Sequence, residues 1–249
     1  MAVRPPFPTR YTLIILAAIC SLILLPAARA DMSVGVEAFA VKDYKRAYRE
    51  FETAWKAGDP KAAYNLGMMH GGGYGIGSSK MEAAKWYRLA ADGGVAEAQN
   101  IMGAWYQRGV GVRKDPYMAL EMYIKSASSG YAPARFNLGI MYYSGLGLLK
   151  KDLPKAVELF SLSANAGHAP AQYALGELLN SHEEIEANRI VAWQWLALAV
   201  DGGENAARRS LEKLTAELPA PDLASARAAY NRVKASMTRQ QETSGTAIK

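Results

Sequence analysis

The sequence predicts an all-α protein, a right-handed superhelical solenoid of antiparallel helix pairs, and three periodic series carry that expectation. Gly58, Gly94, Gly130, Gly167 and Gly203 recur at intervals of 36, 36, 37 and 36 residues. Asp43, Ser79, Asp115, Asp152 and Asn188 keep the same intervals, as do Ala47, Ala83, Ala119, Ala156 and Ala192. A shorter series, Gly67, Gly103, Gly139 and Gly176, shares the period. Self-similarity at roughly 20–50 residues marks stacked supersecondary units, each of which buries its apolar face only against neighbours.

The stretch from Val95 to Gly130 shows what one unit is. Ala98, Met102, Trp105 and Tyr106 fall at i, i+4, i+7 and i+8, an apolar stripe along one helix, here helix A. Helix A should end at Gly109-Val110-Gly111, where the first glycine can take a left-handed conformation closed to a residue with a β-carbon. Helix B should start at Asp115. The residues at this register are all good N-caps, each contributing about 1 kcal/mol, and Pro116 suits the first helical position. Ala119, Met122, Tyr123 and Ala127 then point inward until Gly130 ends the helix. Gly103 sits inside helix A, where glycine costs about 1 kcal/mol relative to alanine. A penalty repeated at Gly67, Gly139 and Gly176 implies close approach of a large side chain, with Phe51, Tyr87, Tyr123 and Phe160 as candidates.

These residues, A-x-x-x-L-G near each unit's start, then G-x-G, Asp and A-A-x-x-G, resemble the Sel-like repeat family, a relative of the tetratricopeptide repeats. The resemblance covers four units: 59–94, 95–130, 131–167 and 168–203. It implies a non-catalytic adaptor or scaffold for protein complexes, with helix A lining a concave face. Some cysteine-rich secreted relatives are linked to penicillin binding. They staple each repeat with a disulfide, and the lack of cysteine after residue 20 weakens that analogy.

In chain order, residues 1–30 read as a secretory signal peptide. Arg4 and Arg10 precede the uncharged run Thr12–Leu25, and Pro26 leads to the small-residue cleavage site Ala28-Arg29-Ala30. The run is shorter than the roughly 20 residues of a spanning helix, although an uncleaved anchor is the alternative. Ile19 is too large to precede a lipidated Cys20. Cleavage after Ala30 would leave a soluble periplasmic or secreted bacterial protein. It removes three of 29 basic residues and no acid, so net charge falls from +6 to +3. It also removes the only cysteine. Residues 31–58 form a partial repeat, as a terminal unit with one unpaired face would. The unit 168–203 replaces its G-x-G with Ser181-His182-Glu183-Glu184-Ile185-Glu186, which predicts an intact helix pair with a more polar turn. Residues 204–237 read as capping helices joined by Leu218-Pro219-Ala220-Pro221, and 238–249 as a disordered tail.

Several chemistries fail on inspection. In GGGYGIGSSK, Gly72 and Gly77 have phosphate-loop spacing, but Ser78 stands where lysine is required and the stretch follows a helix. His70, His168 and His182 form no metal-ligand pair, so neither metal nor cofactor is expected. There is no G-x-S-x-G elbow. Basic residues are scattered over all units, which argues against nucleic acid.

The helix A face opposite Ala98 and Met102 remains as a candidate site. It carries Tyr64, Asn100, Phe136 and Tyr173 at one register and Met68, Ile140 and Glu177 at a second, with Gln107, Arg108 and Tyr143 outside them. Contiguous apolar exposure marks protein-binding surfaces, and Tyr and Arg are favoured anchors. The expected partner is a peptide or helix of an envelope or secreted protein. Burial of the first register between units is the alternative. The competing functional class is a protein that binds or hydrolyses cell-wall material, peptidoglycan or a penicillin-like ligand.

Overall fold

In a computed structural model, the structure describes residues 32–146, 149–181 and 188–246. These residues hold twelve α-helices and no strand. A partial unit pairs α1 (Met32–Ala40) with α2 (Tyr44–Lys56). Four regular units follow: α3 (Pro60–Gly72) with α4 (Lys80–Asp92), α5 (Ala96–Arg108) with α6 (Pro116–Ser128), α7 (Ala132–Ser144) with α8 (Leu153–Asn165), and α9 (Ala169–Ser181) with α10 (Arg189–Asp201). α11 (Ala206–Glu217) and α12 (Ala220–Thr246) close the stack. From α1 to α11 each helix packs mainly on its neighbours in sequence, the contact pattern of a solenoid. The signal peptide and the Glu183–Glu186 turn lie outside the described residues.

Capping chemistry sets the helix ends. Asp43 accepts from the Arg46 amide, Ser79 from Glu82, Asp115 from Tyr117 and Met118, Asp152 from Lys155, and Asn188 from Val191, at 2.9–3.2 Å. Gly73, Gly109 and Gly145 end the A helices with φ of 71°, 76° and 63°. In the partial unit the three-residue turn puts Lys42 in that conformation instead, at φ 65°.

The helical glycines meet rings as their repetition implies. A β-carbon on Gly67 would lie 2.8 Å from the Tyr87 ring, on Gly103 2.8 Å from Tyr123, and on Gly139 2.7 Å from Phe160. In the fourth unit Gly176 faces Leu196. Gly35 faces Phe51 in the partial unit, a pairing hidden in the sequence because that turn is four residues shorter. Burial pushes the Tyr87 and Tyr123 hydroxyls up to about 12.

Side chains also tie helix to helix. Ser126 Oγ donates to the Ala96 carbonyl and Ser163 Oγ to Ala132, both at 2.7 Å, closing helix B on helix A within a unit. Gln99, Arg135 and Gln172 share one register and reach back to the Ala91, Ala127 and Ala164 carbonyls of the preceding unit, at 3.0, 3.3 and 3.1 Å. Aromatic edges fill the seams: Trp55 meets Trp86, and Trp105, only half-buried, meets Tyr87. The GGGYGIGSSK stretch is the α3–α4 turn. Its Tyr74 packs on Phe39 and Tyr44, fastening the partial unit to the first regular one.

The C-terminus departs from the sequence reading twice. First, α12 packs on α10 rather than pairing with α11. Its connection to α11 is only Leu218-Pro219, with no glycine to reverse the chain. Tyr230 and Lys234 instead both donate to Asp201 at the end of α10. Burial pushes the Asp201 carboxyl up, but these two hydrogen bonds outweigh it and leave its pKa below the usual carboxylate range. Second, the expected disordered tail is helical as far as Thr246. Residues 238–244 contain Arg, two Gln and Glu and no proline or glycine, and propagating an existing helix is far easier than nucleating one.

A glycine-to-alanine change inside a helix ordinarily adds about 1 kcal/mol of stability. Gly103→Ala should do the reverse, lowering stability by roughly 1–3 kcal/mol through overpacking against Tyr123, and Gly139→Leu should cost at least as much. Urea denaturation followed by circular dichroism measures both.

Candidate functional site

Five of the ten residues singled out on helix A converge on one groove between the third and fourth regular units. Phe136, Ile140 and Tyr143 come from α7, and Tyr173 and Glu177 from α9. The groove encloses about 550 Å³. Phe160 of α8 and Leu178 contribute to its floor, while Ser144, Pro170, Ala174 and Glu204 complete the lining. Glu204 belongs to the turn between α10 and α11, so a wheel drawn on one helix cannot find it.

The first-turn prolines Pro133 and Pro170 start the two helices that form the walls. Phe136 lies tilted on Phe160 at 5.5 Å and on His168 at 5.2 Å. Phe160 is in turn seated against Gly139, so the glycine contact positions the wall of the groove. The register shared by Tyr64, Asn100, Phe136 and Tyr173 is half-buried in every unit, intermediate between the open face and the buried seam that the sequence allows.

The other five residues lie outside this groove. Tyr64 packs on Tyr87 at 5.7 Å, and Met68 is half-buried. Asn100 accepts from Asn137 of the next unit at 2.9 Å. Gln107 accepts from the Tyr123 hydroxyl at 3.2 Å. Arg108 is exposed, with its Nε donating to the Ala104 carbonyl at 3.2 Å. Asparagine at the ring position and alanine one turn on leave the second unit without the aromatic wall of the third.

Electrostatically the groove is one-sided. Among the described residues its carboxylates are Glu177 and Glu204, and Glu204 Oε1 is held at the rim by the Ala206 amide at 3.3 Å. Basic side chains gather elsewhere: Lys85, Arg88 and Arg113 meet around Tyr106 in a cleft between the first and second units. Scattered in sequence, they are brought together only by stacking. Among the described residues no group of three His, Asp or Glu side chains could hold a metal ion, and no helix is long and apolar enough to cross a membrane.

His168 links the groove wall to pH. Burial lowers its pKa below the usual 6.5, and Nδ1 is buried with no hydrogen-bond partner among the described residues. The unfolded chain therefore takes up a proton at higher pH than the folded one. The histidine's contribution to stability is complete above pH 6.5 and is lost as pH falls through the lower folded value. Urea midpoints measured from pH 7.5 to 5 should fall, and His168→Gln should flatten that slope.

The comparisons with known proteins agree with this architecture. The Sel1 repeat family model matches residues 60–95, 96–131, 132–168 and 169–204. No curated protein sequence matches the chain. Among solved structures, c5321, a protective antigen present in uropathogenic Escherichia coli strains displaying an SLR fold, is 26% identical with a TM-score of 0.69. The match covers 82% of this chain but only 45% of that one. A Sel1 repeat protein from Oxalobacter formigenes is also 26% identical, with a TM-score of 0.65, over 80% of this chain and 85% of the other. With its four matched repeats spanning more than half its length, the chain belongs to the Sel1 repeat family.

Proposed function

We propose that this protein is a non-catalytic interaction scaffold of the bacterial cell envelope, exported by its N-terminal signal, and that the groove between the third and fourth units binds a peptide or helix of a protein partner. The observation that carries this reading is the groove itself. An opening of about 550 Å³, walled by Phe136, Ile140, Tyr143 and Tyr173, is a large apolar indentation on the stack. Such patches mark protein-binding surfaces, and buried aromatic anchors carry most of the affinity at them. The family is one of scaffolds, which supports the same reading. Export rests on the Arg4–Ala30 pattern, and bacterial relatives of known structure are in keeping with it.

The test is capture of a partner from bacterial envelope extract on the mature chain. The bait is purified from the periplasm of an expressing bacterium, and mass spectrometry should show it starting at Asp31. Phe136→Ala and Tyr143→Ala should each reduce capture by about tenfold or more, the loss expected of a buried anchor. Capture that survives both changes would discard the groove. Hydrolysis of peptidoglycan by the purified chain would discard the non-catalytic scaffold.

A further inference from the structure

We propose that the cleft between the first and second regular units is a second interaction surface, which takes an acidic segment of a protein partner, carboxylates interleaved with apolar residues. It goes beyond the reading above and shares no residue with the groove between the third and fourth units. The cleft opens about 460 Å³ and lies wholly within the continuous described stretch 32–146. α4 contributes Lys85 and Arg88, and the α5–α6 turn contributes Arg113. Buried Tyr106 and Ala84, with half-buried Val112 and Met118, make an apolar floor. Gly111, at φ 66°, seats the turn on the start of α4, since a β-carbon there would lie 2.2 Å from the Lys80 carbonyl oxygen. That contact sets Arg113 beside the two cations of α4.

Three cations thus share the cleft with one carboxylate. Lys85 pairs with Glu82 of its own helix at 2.6 Å, whereas Arg88 and Arg113 have no ion-pair partner among the described residues. Arg88 lies over the Tyr106 ring, 6.0 Å from its centroid. The acid in the lining, Asp115, is committed to its cap, where Oδ1 accepts from the Tyr117 and Met118 amides at 3.0 and 3.1 Å. The fold does not call for this charge. In three other units a glutamate, Glu52, Glu121 or Glu158, stands at the helix B register of Lys85 or Arg88, each paired with a lysine of its own helix. Like charges gathered in one indentation repel, and carboxylates relieve that while accepting the paired N–H groups of a guanidinium. The floor then takes the apolar residues between them. A membrane surface is read by roughly four to eight basic residues over an open face. Three around an indentation with a buried ring favour a peptide.

The experiment selects a random dodecamer library, displayed on phage, against the mature chain after depletion on a triple variant, Lys85→Gln, Arg88→Gln and Arg113→Gln. Survivors are peptides that need the cleft. All three side chains are exposed, and thermal melts check the variant's fold. Recovered sequences should share two or more Asp or Glu residues beside an aliphatic or aromatic one. Remade with a fluorophore and measured by fluorescence polarisation, they should lose about tenfold in affinity when their acids become amides. Arg88→Gln and Arg113→Gln should each weaken them roughly threefold to tenfold. A control carrying the same loss of charge elsewhere, Lys56→Gln, Lys125→Gln and Lys155→Gln, should bind within about twofold of the unchanged chain.

An empty selection, survivors without acidic residues, amide peptides that bind equally, or a control that weakens binding as much as the cleft variant would each overturn the proposal. Vesicles of phosphatidylglycerol and phosphatidylcholine are the last arm. The mature chain and the triple variant should bind them equally. Binding to vesicles that the triple variant loses, with no acidic peptide recovered, would overturn the proposal in favour of a membrane contact.

Discussion

The contact between a helical glycine and a bulky side chain of the partner helix is the constraint on which the rest of this structure depends. Glycine inside a helix is unfavourable by about 1 kcal/mol, and the chain accepts this opposite the partner helix at Gly35, Gly67, Gly103, Gly139 and Gly176. In exchange, the ring or leucine opposite reaches the backbone of helix A, and the two helices approach along their apolar faces. The pair so formed still exposes a face, which the next unit covers with the Gln99, Arg135 and Gln172 clamps and the tryptophan edges. Stability accumulates along the stack instead of residing in one centre. Where the pattern stops, α12 bends back onto α10 and Asp201 ties it down.

The same contact shapes the groove. Phe160 is buried because Gly139 admits it, and Phe136 leans on Phe160 and His168. A small residue one turn along α7 thereby helps present an aromatic wall to solvent. The second unit has the glycine and the ring too, but Asn100 and Ala104 stand at the groove positions, and Asn100 bonds to Asn137 instead. One backbone template thus supports a closed seam between two units and an open pocket between the next two. Specificity in such a scaffold lies in the few positions that the packing leaves unconstrained.

Much of this was legible from residue identities, because the repeat reports the same physics several times. N-caps, turn glycines and the Gly–ring pairs each recur on one period, and the structure shows a hydrogen bond, a positive φ or a close approach at each. What escaped has two causes. Gly35–Phe51 was hidden by a shorter turn, and the packing of α12 by a proline connection outside the repeat. The groove was half legible: Phe136, Ile140, Tyr143, Tyr173 and Glu177 share a helix face, but Glu204 and Phe160 come from other elements, and no helical wheel carries information across units. Lys85, Arg88 and Arg113 are a second case, scattered in the chain and joined only by stacking.

A double-mutant cycle on Gly139 and Phe160 tests the central claim most directly. Gly139→Ala places a β-carbon within 2.7 Å of the Phe160 ring, and Phe160→Leu removes the edge it would strike. If the contact sets the approach of α7 and α8, the alanine should be harmful beside phenylalanine and neutral or favourable beside leucine, a coupling of about 1 kcal/mol or more in urea denaturation. Additive costs would contradict the account, because they would mean that glycine is kept at this position for a reason other than the ring it faces.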